Sequence, residues 1–206
     1  MLLDLISLVE KYNIKINGVI HIGAHFGEEN NLYEKLQIKE RIFFEPLVKN
    51  FQVLQNNVIG FPIHKLALGN ENRKIKMFLE SANKGQSCSI LKPKKHKEQY
   101  PHIIFEGEEE VDMIRLDDFS GDTKNFNFIN IDVQGYELEV FKGAVTLLKN
   151  IKYIITEVNR DELYENCAKV DELDLFLGQF GFVRVETTWD GGTWGDSLYI
   201  KNEPEM

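Results

Sequence analysis

The chain has 206 residues, 43% of them apolar and 28% charged, with a formal net charge of −9 at pH 7. That length and apolar share fit one domain with a real core and exclude a disordered chain, and no apolar run reaches the length of a membrane span. The acidic balance disfavours nucleic acid as a partner. With Cys88 and Cys167 as the only cysteines there is no disulfide framework, so a reducing, cytoplasmic setting is expected.

The opening "MLLDLISLVEKYN" has an aspartate among its apolar residues and no basic run ahead of it. It predicts an amphipathic helix over 2–12, with Leu2, Leu5, Ile6 and Val9 on one face, and not a signal peptide. "GVIHIG" is a short buried strand, "EENNLYEKLQ" a helix, "RIFFEP" a second strand stopped by Pro46, and "VKNFQVLQNN" a second helix. "FPIHKLALG" and "KIKMFLE" read as two strands joined by the turn at 69–72. Residues 80–110 are the irregular stretch. They include "KPKKHK" at 92–97, usually a solvated face but able to attract an anion, and "EGEEE", which reads as an exposed turn. A segment this long predicts a lid or substrate-side insertion within a single domain spanning 1–206. Strand character returns in "VDMIRL" and "FNFINID". "YELEVFKGAVTLLKN" then follows as a helix with Leu138, Phe141, Val145 and Leu148 in one stripe. "IKYIITEV" is a strand, "DELDLFLGQF" a helix capped by Asp171 and stopped near Gly181, and "GFVRVETTW" with "WGDSLYIK" a closing hairpin. Strands apolar on both faces that alternate with helices indicate an α/β fold. Its sheet would be parallel, covered on both sides, with an antiparallel edge at the C-terminal end.

In such a sheet, ligands bind beyond the carboxyl ends of the strands. The first end delivers Gly23, Ala24, His25 and Gly27; the next delivers Glu45, 22 positions after Gly23; later ends deliver Asp132 and Glu157. An acid about 20 residues beyond a glycine turn suits a ribose diol, although Glu45 could equally cap the helix after Pro46. The glycine pattern is Gly-x-x-x-Gly with His21 two positions before Gly23, so the dinucleotide pattern is absent. Glu28 and Glu29 in the next helix turn would repel a pyrophosphate. S-adenosylmethionine, with a ribose, no phosphate and a sulfonium cation, fits those residues better.

The runs "HIGAHFGEE", "FFEP", "IDVQGYELEVFKGA" and "ITEV" resemble FkbM-type S-adenosylmethionine-dependent methyltransferases over roughly residues 18–200. The most specific part, Ile131 to Glu137, is close to that family's Asp-Val-Glu-Gly-x-Glu signature. The resemblance implies a Rossmann-like class I methyltransferase fold, with a seven-stranded, mostly parallel sheet, an antiparallel C-terminal hairpin and helices on both faces. It also implies methyl transfer, typically to a hydroxyl of a small-molecule or glycan acceptor, with S-adenosyl-L-homocysteine as product. The family has an acid where His21 stands and Glu where Gln134 stands.

Candidate roles follow. His21, Gly23, Ala24, His25, Gly27, Glu45 and Asp132 would hold the cofactor. Asp132 would also align or deprotonate the acceptor, with Glu157 beside it. Ser87, among Ser81, Asn83 and Ser89, and Trp194, near Trp189 and Asp196, would face the acceptor, while His64 reads as structural. Asp132, Glu157 and Asn159 could instead hold Mg²⁺ in a catechol-type site, but no metal is the expectation. Two further readings are a nicotinamide-dependent oxidoreductase and a non-catalytic nucleoside-binding module.

Overall fold

The computed structural model describes residues 1–202. In chain order the elements are α1 (Leu5–Lys11), β1 (Gly18–Ile22), α2 (Asn30–Lys35), β2 (Glu40–Phe44), α3 (Val48–Asn57), β3 (Ile63–His64), β4 (Ala67–Leu68) and β5 (Arg73–Glu80). There follow α4 (Lys95–Gln99), β6 (Phe105–Ile114), β7 (Phe128–Ile131), α5 (Glu137–Lys142), β8 (Tyr153–Asn159), α6 (Val170–Gly178), β9 (Phe182–Asp190) and β10 (Trp194–Lys201). Seven strands form one sheet in the order β3-β2-β1-β7-β8-β10-β9. β1 pairs parallel with β2 and β7, and β7 parallel with β8, whereas β10 runs antiparallel to both β8 and β9.

Alternating side chains of these strands enter two separate cores. Val19, Phe43, Phe128 and Ile155 pack against Leu5 and Leu8 of α1, Tyr33 of α2 and Leu54 of α3. Ile20, Ile22, Phe44, Ile129, Ile131, Ile154 and Val158 face the other way, onto Phe141 of α5, Leu173 and Leu177 of α6, and Met77, Val111 and Met113. Burial on both faces is why the central strands read as unbroken apolar runs. All the parallel strands then end on one side, so Phe44, Ile131 and Glu157 lead into one rim.

Several boundaries differ from the sequence expectation. Asp4 accepts the Ile6 and Ser7 amides and starts α1 three residues into the apolar run, so Leu5 and Leu8 are buried while Ile6 faces out. β4 and β5 do not pair with each other across the turn at 69–72. β6 lies between them, parallel to β4 and antiparallel to β5, in a separate three-stranded sheet. The acidic "EGEEE" is therefore strand and not turn, with Lys74 and Lys76 on the neighbouring strand facing Asp112 and Glu108. The predicted helix over 136–150 stops at Gly143 and resumes only as a short 3₁₀ turn at Leu147–Lys149, where Asp117 accepts the Thr146 and Leu147 amides. Asp171 lies inside the first turn of α6; the cap position is Lys169, whose amide the Glu172 carboxylate accepts at 2.9 Å.

Gly143, the cap position at the end of α5, must be glycine for a steric reason. A Cβ there would fall 1.9 Å from the Gly69 carbonyl oxygen, while a Cβ on Gly178 at the end of α6 meets nothing within 4 Å. Gly143→Ala should therefore destabilise the protein by about 1–3 kcal/mol through overpacking. Gly178→Ala should leave stability unchanged or raise it by up to about 1 kcal/mol. Paired denaturant melts read both; equal effects would refute the steric account.

Candidate active site

At the end of β1 the Gly23 and Ala24 amides both donate to the Phe44 carbonyl, at 3.0 and 2.9 Å. Gly23 has φ +74, and a Cβ there would lie 1.9 Å from the Asp132 carbonyl oxygen. Its glycine is thus demanded by the approach of the β1 end to the β7 end. Gly27, expected at the ligand, instead packs against α3. A Cβ on it would meet Val58 and Leu54 at 2.7 and 2.8 Å, and it does not line the cleft. His25, at φ +48, stacks its ring on Phe26 and places its two ring nitrogens against the Glu28 carboxylate (2.8 Å) and the Lys84 carbonyl (2.9 Å). Both partners are acceptors. Burial works against the charged ring, but these bonds outweigh it and the pKa is raised.

Glu45, beyond β2, does two things. One oxygen accepts the Leu47 amide at the start of α3 (3.0 Å) and the other accepts the His25 amide (2.9 Å), while the side chain also lines the cleft. Burial pushes its carboxyl up to about 7 against the pull of those two bonds. His21 is buried beneath the turn, its Nδ1 3.2 Å from the Tyr33 hydroxyl, which in turn accepts the Asn130 amide at 2.6 Å. Burial holds the His21 ring in its neutral form.

The strand ends of β7 and β8 converge on a residue the sequence reading noted only as a departure. The Gln134 side-chain nitrogen donates to Asp132 (2.7 Å) and to Glu157 (2.8 Å), and its oxygen accepts from the Tyr164 hydroxyl (2.8 Å). Asp132 is exposed to the cleft, whereas Glu157 is buried behind it. Burial first, then the charges of Asp132, Glu137 and Asp196, push the Glu157 carboxyl well above the usual range and favour its protonated form. Glu137 accepts the Val133 and Gly135 amides at 3.0 and 3.1 Å, clamping the loop.

These residues share one cleft of about 590 Å³. His21, Gly23, Ala24, His25, Glu45, Asp132, Glu157, Ser87 and Trp194 all line it. Seven of its lining residues are carboxylates (Glu28, Glu29, Glu45, Asp132, Glu157, Asp190 and Asp196) and, among the described residues, no lysine or arginine lines it. The sequence reading assigned Gln134 no role beyond a departure from the family and did not single out Tyr100, His96 and His102, all of which line the cleft. Nothing in local periodicity marks them, because their roles depend on what folds against them. The basic run does not open onto the cleft as an anion site: Lys92, Lys94 and Lys95 pair with Glu165, Glu162 and Asp161. Those pairs dock the segment around α4 onto the loop after β8. Trp194 Nε1 donates to the Tyr100 hydroxyl (2.8 Å) and Thr193 to Gln99 (2.8 Å), docking it onto the β9–β10 turn as well. His64 stacks on Phe44 and meets Phe119 edge-on, and it does not line the cleft.

The model of the FkbM methyltransferase domain matches residues 21–184. The 2-O-methyltransferase NoeI of Sinorhizobium fredii is 30% identical over 174 residues, covering 79% of this chain and 70% of that protein. Among solved structures, a putative tRNA methyltransferase of Streptococcus pneumoniae in complex with S-adenosyl-L-methionine is 16% identical with a TM-score of 0.55, covering 100% of this chain and 76% of that one. The magnesium protoporphyrin IX methyltransferase ChlM of Synechocystis PCC 6803, with its bound cofactor, is 11% identical with a TM-score of 0.52, covering 96% and 76%. The two structures share the fold with this chain, which is that of the class I methyltransferases.

The amide of Gln134 sits where a third carboxylate would add repulsion. Gln134→Glu should lower stability by about 1–3 kcal/mol at pH 8 and recover on acidification towards pH 5 as the acids take up protons. Thermal melts across that range read the effect, and a pH-independent difference would contradict it.

Proposed function

The chain belongs to the FkbM methyltransferase family and is an S-adenosylmethionine-dependent methyltransferase, and from that premise we propose that it methylates a hydroxyl oxygen of a small-molecule or glycan acceptor. The observation that carries this reading is the Asp132 carboxylate, open to the cleft at the end of β7 and held by an amide that also engages buried Glu157. The 2-O-methyltransferase relative supports a hydroxyl acceptor. Tyr100 and Trp194 beside the acids offer the aromatic surface that suits a sugar ring.

The cleft fits the cofactor. Its walls carry seven carboxylates against the Met1 ammonium, which pairs with Glu29, and no lysine or arginine, a balance that suits a sulfonium and a ribose diol and disfavours a pyrophosphate, so the nicotinamide reading is the weaker. Glu45 would accept the diol hydrogens on the lone pairs its two backbone partners leave free. His21, Gly23, Ala24 and His25 would line the rest of that half. When bound, S-adenosylmethionine supplies a methyl group on a positively charged sulfur that needs no further activation. The protein's task is then to align the hydroxyl and accept its proton. Asp132 does this at the open side of the cleft. Glu157 acts through Gln134, holding its amide in place. The segment 81–104, with Ser87 and α4, forms the acceptor side. A catechol-type Mg²⁺ site fits less well, because the group between the two carboxylates is an N–H donor, not an oxygen ligand.

Glu45→Ala should weaken cofactor binding by about 1.5–3 kcal/mol. Because the diol donates to the ionised carboxylate and burial holds that group near 7, wild-type affinity should rise between pH 6 and pH 8, and Glu45→Gln should flatten the rise. Calorimetric titration with S-adenosylmethionine reads both, and an unchanged affinity in Glu45→Ala would move the ribose elsewhere.

For the reaction, the probes are methyl glycosides of galactose, fucose, glucose and glucosamine, with aliphatic and phenolic alcohols, each assayed for product gaining one methyl group. Asp132→Asn should lower turnover about 10²–10⁴-fold with cofactor affinity little changed and no response to a chelator. Chelator-sensitive, Mg²⁺-restored turnover would favour the metal site, and methylation only of nitrogen or carbon acceptors would overturn the hydroxyl reading.

A further inference from the structure

His96 lies on α4, at the acceptor side of the cleft, and is 4% exposed. Its backbone is fixed: its amide donates to the Leu163 carbonyl at 3.1 Å, and its carbonyl accepts the Tyr100 amide at 2.8 Å. Its ring is packed among three aromatic rings, with centroids 5.0 Å from Tyr100, 5.3 Å from Phe105 and 5.4 Å from Tyr164. A phenylalanine would satisfy that packing. The histidine does not satisfy itself there, because Nδ1 is buried and has no hydrogen-bond partner within the protein. Orphaned buried polar atoms are uncommon, and this one belongs to a ring that lines the cleft.

We propose that His96 holds the acceptor, its ring hydrogen-bonding to an acceptor hydroxyl beside Tyr100 and Trp194. The inference rests on the hydroxyl-transfer reading and adds the residue that selects the acceptor. A hydroxyl is the right complement, since it can donate to a bare ring nitrogen or accept from an N–H, whichever tautomer is present. Burial lowers the pKa of His96, which keeps the ring neutral and able to offer a bare nitrogen. Alignment of the hydroxyl then has two points, a recognition point on α4 and the proton acceptor at Asp132. It also accounts for the extensive docking of α4. The Lys94–Glu162 and Lys95–Asp161 pairs and the Gln99–Thr193 bond fix the position of His96 relative to the ends of β8 and β10.

The test compares His96→Phe, which keeps ring volume without a hydrogen-bonding atom, with His96→Asn, which returns one near the Nδ1 position. The acceptor is the glycoside or alcohol of the panel above that the wild type methylates fastest. His96→Phe should raise the acceptor KM about tenfold, leave the affinity for S-adenosylmethionine unchanged, and hold or raise Tm, by about 2–4 °C if the orphaned nitrogen is destabilising. His96→Asn should recover part of the KM. In the wild type, the ring-nitrogen resonances of His96 should shift when the same acceptor is added to the protein loaded with S-adenosylhomocysteine, a reading independent of whether any variant folds. An acceptor KM within twofold of wild type in His96→Phe, or His96 resonances unmoved by a bound acceptor, would overturn the assignment and mark a structural histidine satisfied by water. If the wild type methylates no hydroxyl in the panel, the hydroxyl-transfer reading fails first and the assignment falls with it.

Discussion

A single amide joins the carboxylates at two neighbouring strand ends, and the site depends on it. Asp132 and Glu157 end β7 and β8 and both accept from the Gln134 nitrogen. Burial and the Asp132 charge push the Glu157 carboxyl towards its protonated form, and the Gln134 N–H donor lies between the two acids. Gln134 reaches them by adopting φ +55, a conformation that costs a non-glycine residue roughly 1–2 kcal/mol. The neighbours secure it. Gly135 follows at φ +94, Glu137 accepts two backbone amides of the loop, and the Tyr164 hydroxyl bonds the Gln134 oxygen while also donating towards the Ser87 carbonyl. The strain is stored where the chemistry is, as expected at a functional loop.

That loop is in turn placed by close contact between strand ends. Gly23 lets the end of β1 press against the Asp132 carbonyl, and the Asp132 amide donates to Ile22 at 3.1 Å. The glycine turn therefore couples the two halves of the rim, the one carrying Glu45 and the one carrying Asp132. His25 links this turn to the segment after β5 through the Lys84 carbonyl. The side of the cleft proposed for the acceptor is assembled from sequence-distant pieces by ion pairs and hydrogen bonds from α4 to the loop after β8 and to the β9–β10 turn. Exposed ion pairs stabilise little individually, so the docking draws mainly on buried His96, Leu163 and Tyr164.

Much of the architecture was legible because the central strands are apolar on both faces and each ends in a residue with distinctive chemistry. α3 fell where its residues predicted, and the closing hairpin formed as expected. The errors share a cause. β4, β5 and β6 gain a partner far along the chain, so the turn at 69–72 did not make the hairpin its residues suggested, and an acidic run became a strand once lysines lay opposite it. The helix after β7 ended at Gly143, which packs against the Gly69 carbonyl and whose own carbonyl accepts the Asp117 amide, contacts no local pattern announces.

The sequence by itself determined the doubly covered sheet, the glycine turn and the acids at the strand ends, since each follows from periodicity or spacing within a short window, and it carried the family signature as a resemblance of motif. Only the tertiary structure decided which groups meet. It turned Gly27 towards α3, paired Lys92, Lys94 and Lys95 with acids from the loop after β8, and buried His96 in the cleft wall with an unpartnered nitrogen. It also set the Gln134 amide between two carboxylates 25 positions apart in the chain. The physical reason is the range of the interactions. Apolar alternation and turn chemistry act between near neighbours, whereas burial, hydrogen-bond satisfaction and charge depend on whatever the fold brings within a few ångströms.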